Sequence, residues 1–236
     1  MTDLSIIIVS FNTKELTENC LKSLADSLKN SPLNYEVIVV DNDSTDGTVE
    51  KIKHQRAKSK NIVFIENKSN VGFAKANNIG LTKAKGKYIL FLNSDTDVSN
   101  VDFEELIQYM NSNTGVGVLT VKVLLPDGSI DPACHRGFPT IWRTLSYFSK
   151  LEYLTVSTPV LNRVFGGYHL THLDRNTVHE IDAPSGAFYL TQKSILDKVG
   201  GFDEDFFMYG EDLDLSLRIK KSGYKVIYYP KQSITH

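Results

Sequence analysis

Residues 93–97 read Asn-Ser-Asp-Thr-Asp and follow directly on the apolar run Tyr88, Ile89, Leu90, Phe91, Leu92. Two carboxylates one residue apart, Asp95 and Asp97, repel each other unless water, a cation or a donor group separates them. Their hard oxygens suit Mg2+ or Mn2+ held against a diphosphate. Taken alone, the same five residues also read as a capping loop ahead of the next helix. In "VVDNDSTDGT", Asp41 stands where a carboxylate can accept a hydrogen bond from the imide N–H of a nucleobase, although Asp43 or Ser44 would cap the following helix equally well. Farther on, "FFMYGEDLDLSLR" brings Glu211 and Asp212 together after an aromatic loop and a glycine. Neighbouring side chains on a helix diverge by roughly 100°, so only one of the two can address a given target. A helix N-terminus keeps both ionised, and an ionised carboxylate within reach of a hydroxyl can take its proton; otherwise the two cap the helix.

The elements that must position these groups alternate. Buried strands are predicted at 4–9, 35–41, 61–67 and 87–93, and helices at 12–28, from Val49 through Ile52, and at 70–86, closing at Gly86. Asn12 with Glu15 makes a capping pair for the first helix, along which Leu16, Cys20, Leu24 and Leu28 recur on one face. Strands alternating with crossover helices imply a parallel Rossmann-like sheet, whose ligands bind outside the carboxyl ends of the strands. Residues 10–12, 41–46, 67–72 and 93–97 all fall on that edge. The second half is less regular: a strand within 114–134 with a turn at 126–129, an aromatic and irregular stretch at 139–180, a strand at 185–192, a short helix from Lys193, a helix from Glu211 and a last strand at 224–230.

Neither glycine fingerprint of nucleotide binding is present: "VSFNTKEL" follows the first strand without a glycine, and no GxxxxGK[ST] occurs. A nucleotide whose phosphates are held through a metal fits both absences. A formal charge of −2 and a pI near 6.3 speak against a general nucleic-acid binder. Among 236 residues, 41% are hydrophobic and 23% charged, an ordinary globular composition with room for a substantial core. Cys20 and Cys134 are far apart and form no CxxC, so no disulfide framework or thiolate zinc site is implied. "LSIIIVSFN" is too short for a signal sequence, and no stretch reaches the ~20 apolar residues of a spanning helix. A cytoplasmic chain is expected.

Five blocks, "LSIIIVSFNTKELTENCLKSL", "YEVIVVDNDSTDGT", "NVGFAKANNIGLTKAKGKYILFLNSDTDV", "APSGAFYLTQKSILDKVGGFDEDFFMYGEDLDLSLRIKKSGYKV" and the final His236, together resemble glycosyltransferase family 2, in particular its bacterial rhamnosyltransferase-like members. They cover about two-thirds of the chain in order. The resemblance implies an α/β GT-A fold in one domain spanning 1–236, with a nucleotide-binding half (1–98) and an acceptor-binding half (99–236). It also implies an inverting, metal-dependent hexosyltransferase that uses a dTDP- or UDP-sugar, Mg2+ or Mn2+, and a glycan or lipid-linked acceptor in surface-polysaccharide synthesis. By the same resemblance Ser10 and Asn12 pack on the nucleobase and ribose, and Asp41 binds the base. Asn70, Gly72 and Asn77 approach the ribose and diphosphate. Where many relatives read Asp-Ser-Asp, this chain has Asn93 as a neutral substitute near the ribose; Asp95 is then the metal ligand, Asp97 a secondary candidate, and His236 a further ligand. Ser185, Gly186 and Ala187 border the sugars. Asp212 is the base, and Glu211 orients the acceptor.

Some features stay open at this level. Trp142, Tyr147, Phe148, Tyr153 and Phe165 face either a subdomain core or a lipid or membrane surface, which would make the protein peripheral at the inner face of the cell membrane. His169 and His172 near Asp174 make either a metal pair or a solvated loop. A nucleotide-sugar-binding module without catalysis is the alternative function, and the carboxylates at 211–212 speak against it.

Overall fold

The computed structural model describes residues 2–236. Its centre is one sheet of eight strands in the order β3-β2-β1-β4-β7-β5-β8-β6. The first half supplies β1 (Leu4–Ser10), β2 (Tyr35–Asp41), β3 (Ile62–Glu66) and β4 (Tyr88–Asn93), all parallel. Between them run α1 (Lys14–Ser27), α2 (Thr48–Lys58) and α3 (Phe73–Leu81). Ile6, Ile7, Ile8, Ile38, Leu90 and Phe91 are wholly buried, as near-continuous apolar strands must be when helices cover both faces of a parallel sheet. β3 lies at the edge and is only half-buried.

The second half extends the same sheet. α4 (Phe103–Ser112) is capped by Asp102, whose side chain accepts from the Glu105 N–H at 3.0 Å. β5 (Val116–Leu124) follows, then α5 (Ile141–Phe148), α6 (Leu151–Leu154), α7 (Pro159–Phe165) and β6 (His179–Ile181). β7 (Phe188–Gln192) inserts antiparallel between β4 and β5. α8 (Lys193–Val199), α9 (Glu211–Lys221) and β8 (Lys225–Thr235) complete the chain. β8 runs parallel to β5 and antiparallel to β6.

Four local expectations give way. Asn12 does not cap α1: it sits at φ 53°, donates its N–H to Ser44 Oγ (2.8 Å) and accepts from the Thr45 N–H (2.9 Å), stitching two rim loops together. Leu16 is 48% exposed, because the buried face of α1 runs through Thr17, Cys20, Leu21 and Leu24. α3 ends at Leu81, five residues short of Gly86. The last strand continues past Pro230 to Thr235 through a register shift, in which Val121 pairs with Tyr229 and Lys122 with Ser233. The bulge takes up residues 230–232, a place where the missing N–H of proline does no harm. The irregular stretch at 139–180 holds three short helices and β6.

Candidate active site

The carboxyl ends of β1, β2 and β4 open onto a cleft of about 520 Å³. Phe11, Thr13, Asn42, Asn70 and Phe73 form one wall, and the 93–95 turn with Asp131 and His236 forms a corner. Arg136, Ser185, Gly186, Ala187, Glu211 and Asp212 complete the lining with Met208 and Tyr209, and Gly186 adjoins the Phe73 ring.

On the first wall the structure separates residues that the sequence grouped. Asp41 is 0% exposed. Its carboxylate accepts from Ser10 Oγ (2.9 Å), the Ser44 N–H (2.8 Å) and Ser44 Oγ (2.6 Å). Ser10 and Asp41 therefore lock the loops after β1 and β2 to each other and do not line the cleft. The adjacent Asn42 does: its amide donates to Asn70 Oδ1 and the Gly72 carbonyl, both at 3.2 Å. Asn77 is buried and donates to the Phe73 carbonyl of its own helix (3.0 Å). Gly72 serves a close approach. At φ 87°, a Cβ there would stand 2.6 Å from the Phe207 carbonyl oxygen, which already accepts from the Phe73 N–H (2.8 Å).

At the corner, Asp95 Oδ1 lies 3.2 Å from His236 Nε2, and the Asn93 amide lies 3.0 Å from the same nitrogen. Asp131 Oδ2 is 4.0 Å from His236 Nδ1. The His236 hydrogen bond holds the Asp95 carboxyl below its ordinary range, and the same bond raises the imidazole. Asp97 is outside this group: its backbone pairs with Thr235 and its carboxylate accepts from the Ser99 N–H (2.9 Å). Among the described residues no three His, Cys, Asp or Glu side chains form a complete metal cage. One carboxylate oxygen and one imidazole nitrogen already converge, however, and that donor set suits a divalent cation that takes its remaining ligands from a phosphate.

Elsewhere in the lining Asp212 Oδ2 accepts from Arg136 Nη2 at 2.6 Å, and Oδ1 accepts from the Leu213 N–H. Arg136 also donates to the Pro184 carbonyl (2.7 Å). Glu211 Oε2, Arg136 Nε and Ser185 Oγ are buried without a partner, and all three residues line the cleft; among the described residues one other such side-chain atom exists, in Ser146. Burial raises the Glu211 carboxyl above its usual range. Buried polar atoms without partners are expensive, and three in the lining of one cleft mark a surface shaped for a polar ligand.

Sequence reasoning missed Arg136, Asp131, Phe11 and Phe73. Arg136 carried no local signal, since its partner is 76 residues away. The histidines 169 and 172 do not make a metal pair: His169 bonds Glu152 (3.0 Å), while His172 faces the Gly166 carbonyl (3.4 Å). Cys20 and Cys134 are buried and free. Among the described residues, no helix is long and apolar enough to cross a membrane.

The chain is 26% identical over 241 residues to the rhamnosyltransferase WbbL of Escherichia coli, covering 98% of this chain and 82% of that protein. It is 25% identical over 253 residues to the N-acetylglucosaminyl-diphospho-decaprenol L-rhamnosyltransferase of Mycobacterium tuberculosis, covering 100% of this chain and 76% of that protein. A mannosyltransferase of Pyrobaculum calidifontis, solved in complex with GDP-Man and Mn2+, superposes with a TM-score of 0.64 at 18% identity, covering 100% of this chain and 59% of that one. That likeness bears on the fold alone, the GT-A arrangement. The sequence profile described as Glycosyl transferase family 2 matches residues 5–198. The chain belongs to glycosyltransferase family 2.

Proposed function

We propose that this protein transfers a sugar, rhamnose from dTDP-rhamnose as the first choice, to a glycan or lipid-linked acceptor with inversion at the anomeric carbon. One observation carries the reading. Glu211 Oε2, Arg136 Nε and Ser185 Oγ are buried without partners in residues that line the same cleft as Asp95 and His236. A binding module has no need of two buried carboxylates beside an arginine there. The rhamnosyltransferase names of two relatives support the donor, and the decaprenol-linked substrate in one of those names supports a lipid-linked acceptor.

In this reading Phe11, Asn42 and Asn70 receive the nucleoside, with Ser10, Asn12, Asp41 and Asn77 holding the loops that present them. Asp95 and His236 would hold Mg2+ or Mn2+, assisted by Asn93 and Asp131, and the cation would supply charge stabilisation for the departing diphosphate. Ser185, Gly186 and Ala187 border the sugar. Asp212 takes the proton from the acceptor hydroxyl as its oxygen bonds to the anomeric carbon, and the C–O bond to the nucleotide breaks with its electron pair going to the phosphate. Arg136 fixes the direction in which Asp212 points. A second assignment of the base, Glu211, is favoured by its partnerless oxygen and its raised pKa.

A panel of dTDP-rhamnose, UDP-glucose, UDP-galactose and UDP-N-acetylglucosamine, read by thermal shift with and without Mn2+, tests the donor. Stabilisation by dTDP-rhamnose with Mn2+ is expected. Stabilisation by UDP-hexoses alone overturns the rhamnose assignment, and slow metal-dependent hydrolysis of the donor separates an enzyme from a binding module.

A further inference from the structure

The three helices α5, α6 and α7 carry most of the uncovered apolar surface. Twelve of the eighteen large hydrophobic side chains exposed among the described residues lie between 141 and 164. Ile141 is 84% exposed, Tyr153 80% and Phe148 76%. Side chains of this kind do not stay in water by accident over a contiguous surface. The helices are fastened to one another and to the protein by their other edges. Trp142 Nε1 donates to the Val164 carbonyl (2.9 Å), Tyr147 stacks on Tyr168 with ring centroids 4.7 Å apart, and Arg143 bonds Asp182 (2.7 Å). The apolar faces are thus held outward on a fixed frame.

The charges on this surface have one sign. Glu152 is the sole carboxylate in residues 138–168, and it is buried against His169. Lys150 and Arg163 are exposed and make no ion pair among the described residues. A second copy of the chain would bring like charges together. An anionic bilayer, by contrast, offers acyl chains to the apolar side chains and phosphate groups to the two cations. At eight, four and seven residues the helices are too short to span, and they suit lying in the headgroup region.

We propose that α5–α7 form a docking surface for an anionic lipid bilayer. The surface is continuous with the cleft through residues 136–143: Arg136 pairs with Asp212, and the Phe138 carbonyl accepts from Arg143 (3.2 Å). Docking would place the base side of the cleft next to the headgroups. The inference does not depend on the donor assigned above, because vesicle binding is measured without any nucleotide sugar.

Trp142 is the single tryptophan and lies in the surface itself, so its fluorescence reports docking directly. Vesicles of phosphatidylcholine alone and with added phosphatidylglycerol are the probes, read by flotation and by the Trp142 emission. We expect binding about tenfold or more tighter with phosphatidylglycerol, weakened by salt, with a blue shift of Trp142. Ile141→Glu/Phe148→Glu/Tyr153→Glu should abolish flotation, and Lys150→Glu/Arg163→Glu should remove the preference for phosphatidylglycerol. These positions are exposed, and unchanged circular dichroism and nucleotide binding check the fold. Absence of flotation by the wild type overturns the proposal, as does flotation of the triple variant at the wild-type level. A wild-type dimer that ignores vesicles, and that the triple variant turns into a monomer, assigns the surface to self-association instead.

Discussion

Arg136 and Asp212, 76 residues apart in the chain, meet with Nη2 2.6 Å from Oδ2 in the lining of the cleft. The pair is largely shielded from water, with the side chains 17% and 10% exposed. Removing either partner leaves the other buried without its counter-charge. Asp212→Asn should lower transfer ~10²-fold or more while nucleoside diphosphate binding, measured calorimetrically, stays within about twofold. Arg136→Met should fall in the same direction, and the double variant should be little worse than either single, since the two act as a unit. Full transfer by Asp212→Asn with loss in Glu211→Gln would move the base to Glu211.

Nucleotide binding and the Asp95–His236 corner should rise and fall together. Chelation is expected to weaken nucleoside diphosphate binding about tenfold or more, and Asp95→Ala should reproduce that loss without chelator. Asp131→Asn should weaken Mn2+ dependence by less. Asp97→Asn should bind like the wild type, because its carboxylate serves the Ser99 turn. Titration of each variant with Mn2+ and the diphosphate decides the matter.

Gly72→Ala tests the joint between the start of α3 and the loop before α9. The new Cβ would meet the Phe207 carbonyl oxygen at 2.6 Å on a backbone already at φ 87°. A cost of about 2–3 kcal/mol is expected, which lowers Tm by roughly 5–10 °C for a chain of this size. Weaker nucleotide binding should accompany it, since the Gly72 carbonyl accepts from Asn42.

A pH dependence of stability should arise from His135, which stands next to the cleft residue Arg136 but does not line the cleft. His135 is fully buried, with Nε2 2.6 Å from His179 Nε2 and Nδ1 2.9 Å from the His169 carbonyl. Burial pushes its pKa down to about 4. The unfolded chain, titrating near 6.5, therefore binds more protons in the interval between. Stability should be complete above about pH 7 and decline by roughly 2 kcal/mol on acidification to about pH 5. His135→Phe should flatten that slope in urea unfolding midpoints.

The parallel half was legible because its strands are buried on both faces and leave almost unbroken apolar runs, with the polar residues collected where each strand ends. The rim was therefore readable as a place. Which side chain on it turns toward the ligand was not: Asp41 and Asn42 are neighbours, and only the bonds from Ser10 and Ser44 decide that Asp41 turns inward. Residues 139–165 defeated the reading for another reason. Apolar spacing reports that a face is covered by something without naming what covers it, so the sequence leaves Phe148 and Tyr153 open between a core and a surface. Arg136 depends on Asp212 in α9 and the bulge at 230–232 on the register against β5, and local pattern carries no record of such distant partners.

That bulge makes β8 a measuring rod. His236 is delivered to Asp95 by counting residues along β5, whose Leu124 carbonyl accepts the His236 N–H at 2.8 Å. Because strand side chains alternate with a period of two, adding or removing a single residue between Tyr229 and Ser233 would advance the rod by one notch and turn every later side chain to the opposite face. The imidazole would then point away from the corner while the sheet itself stayed intact. Chain length in a segment that does not line the cleft thus sets the calibration of the site.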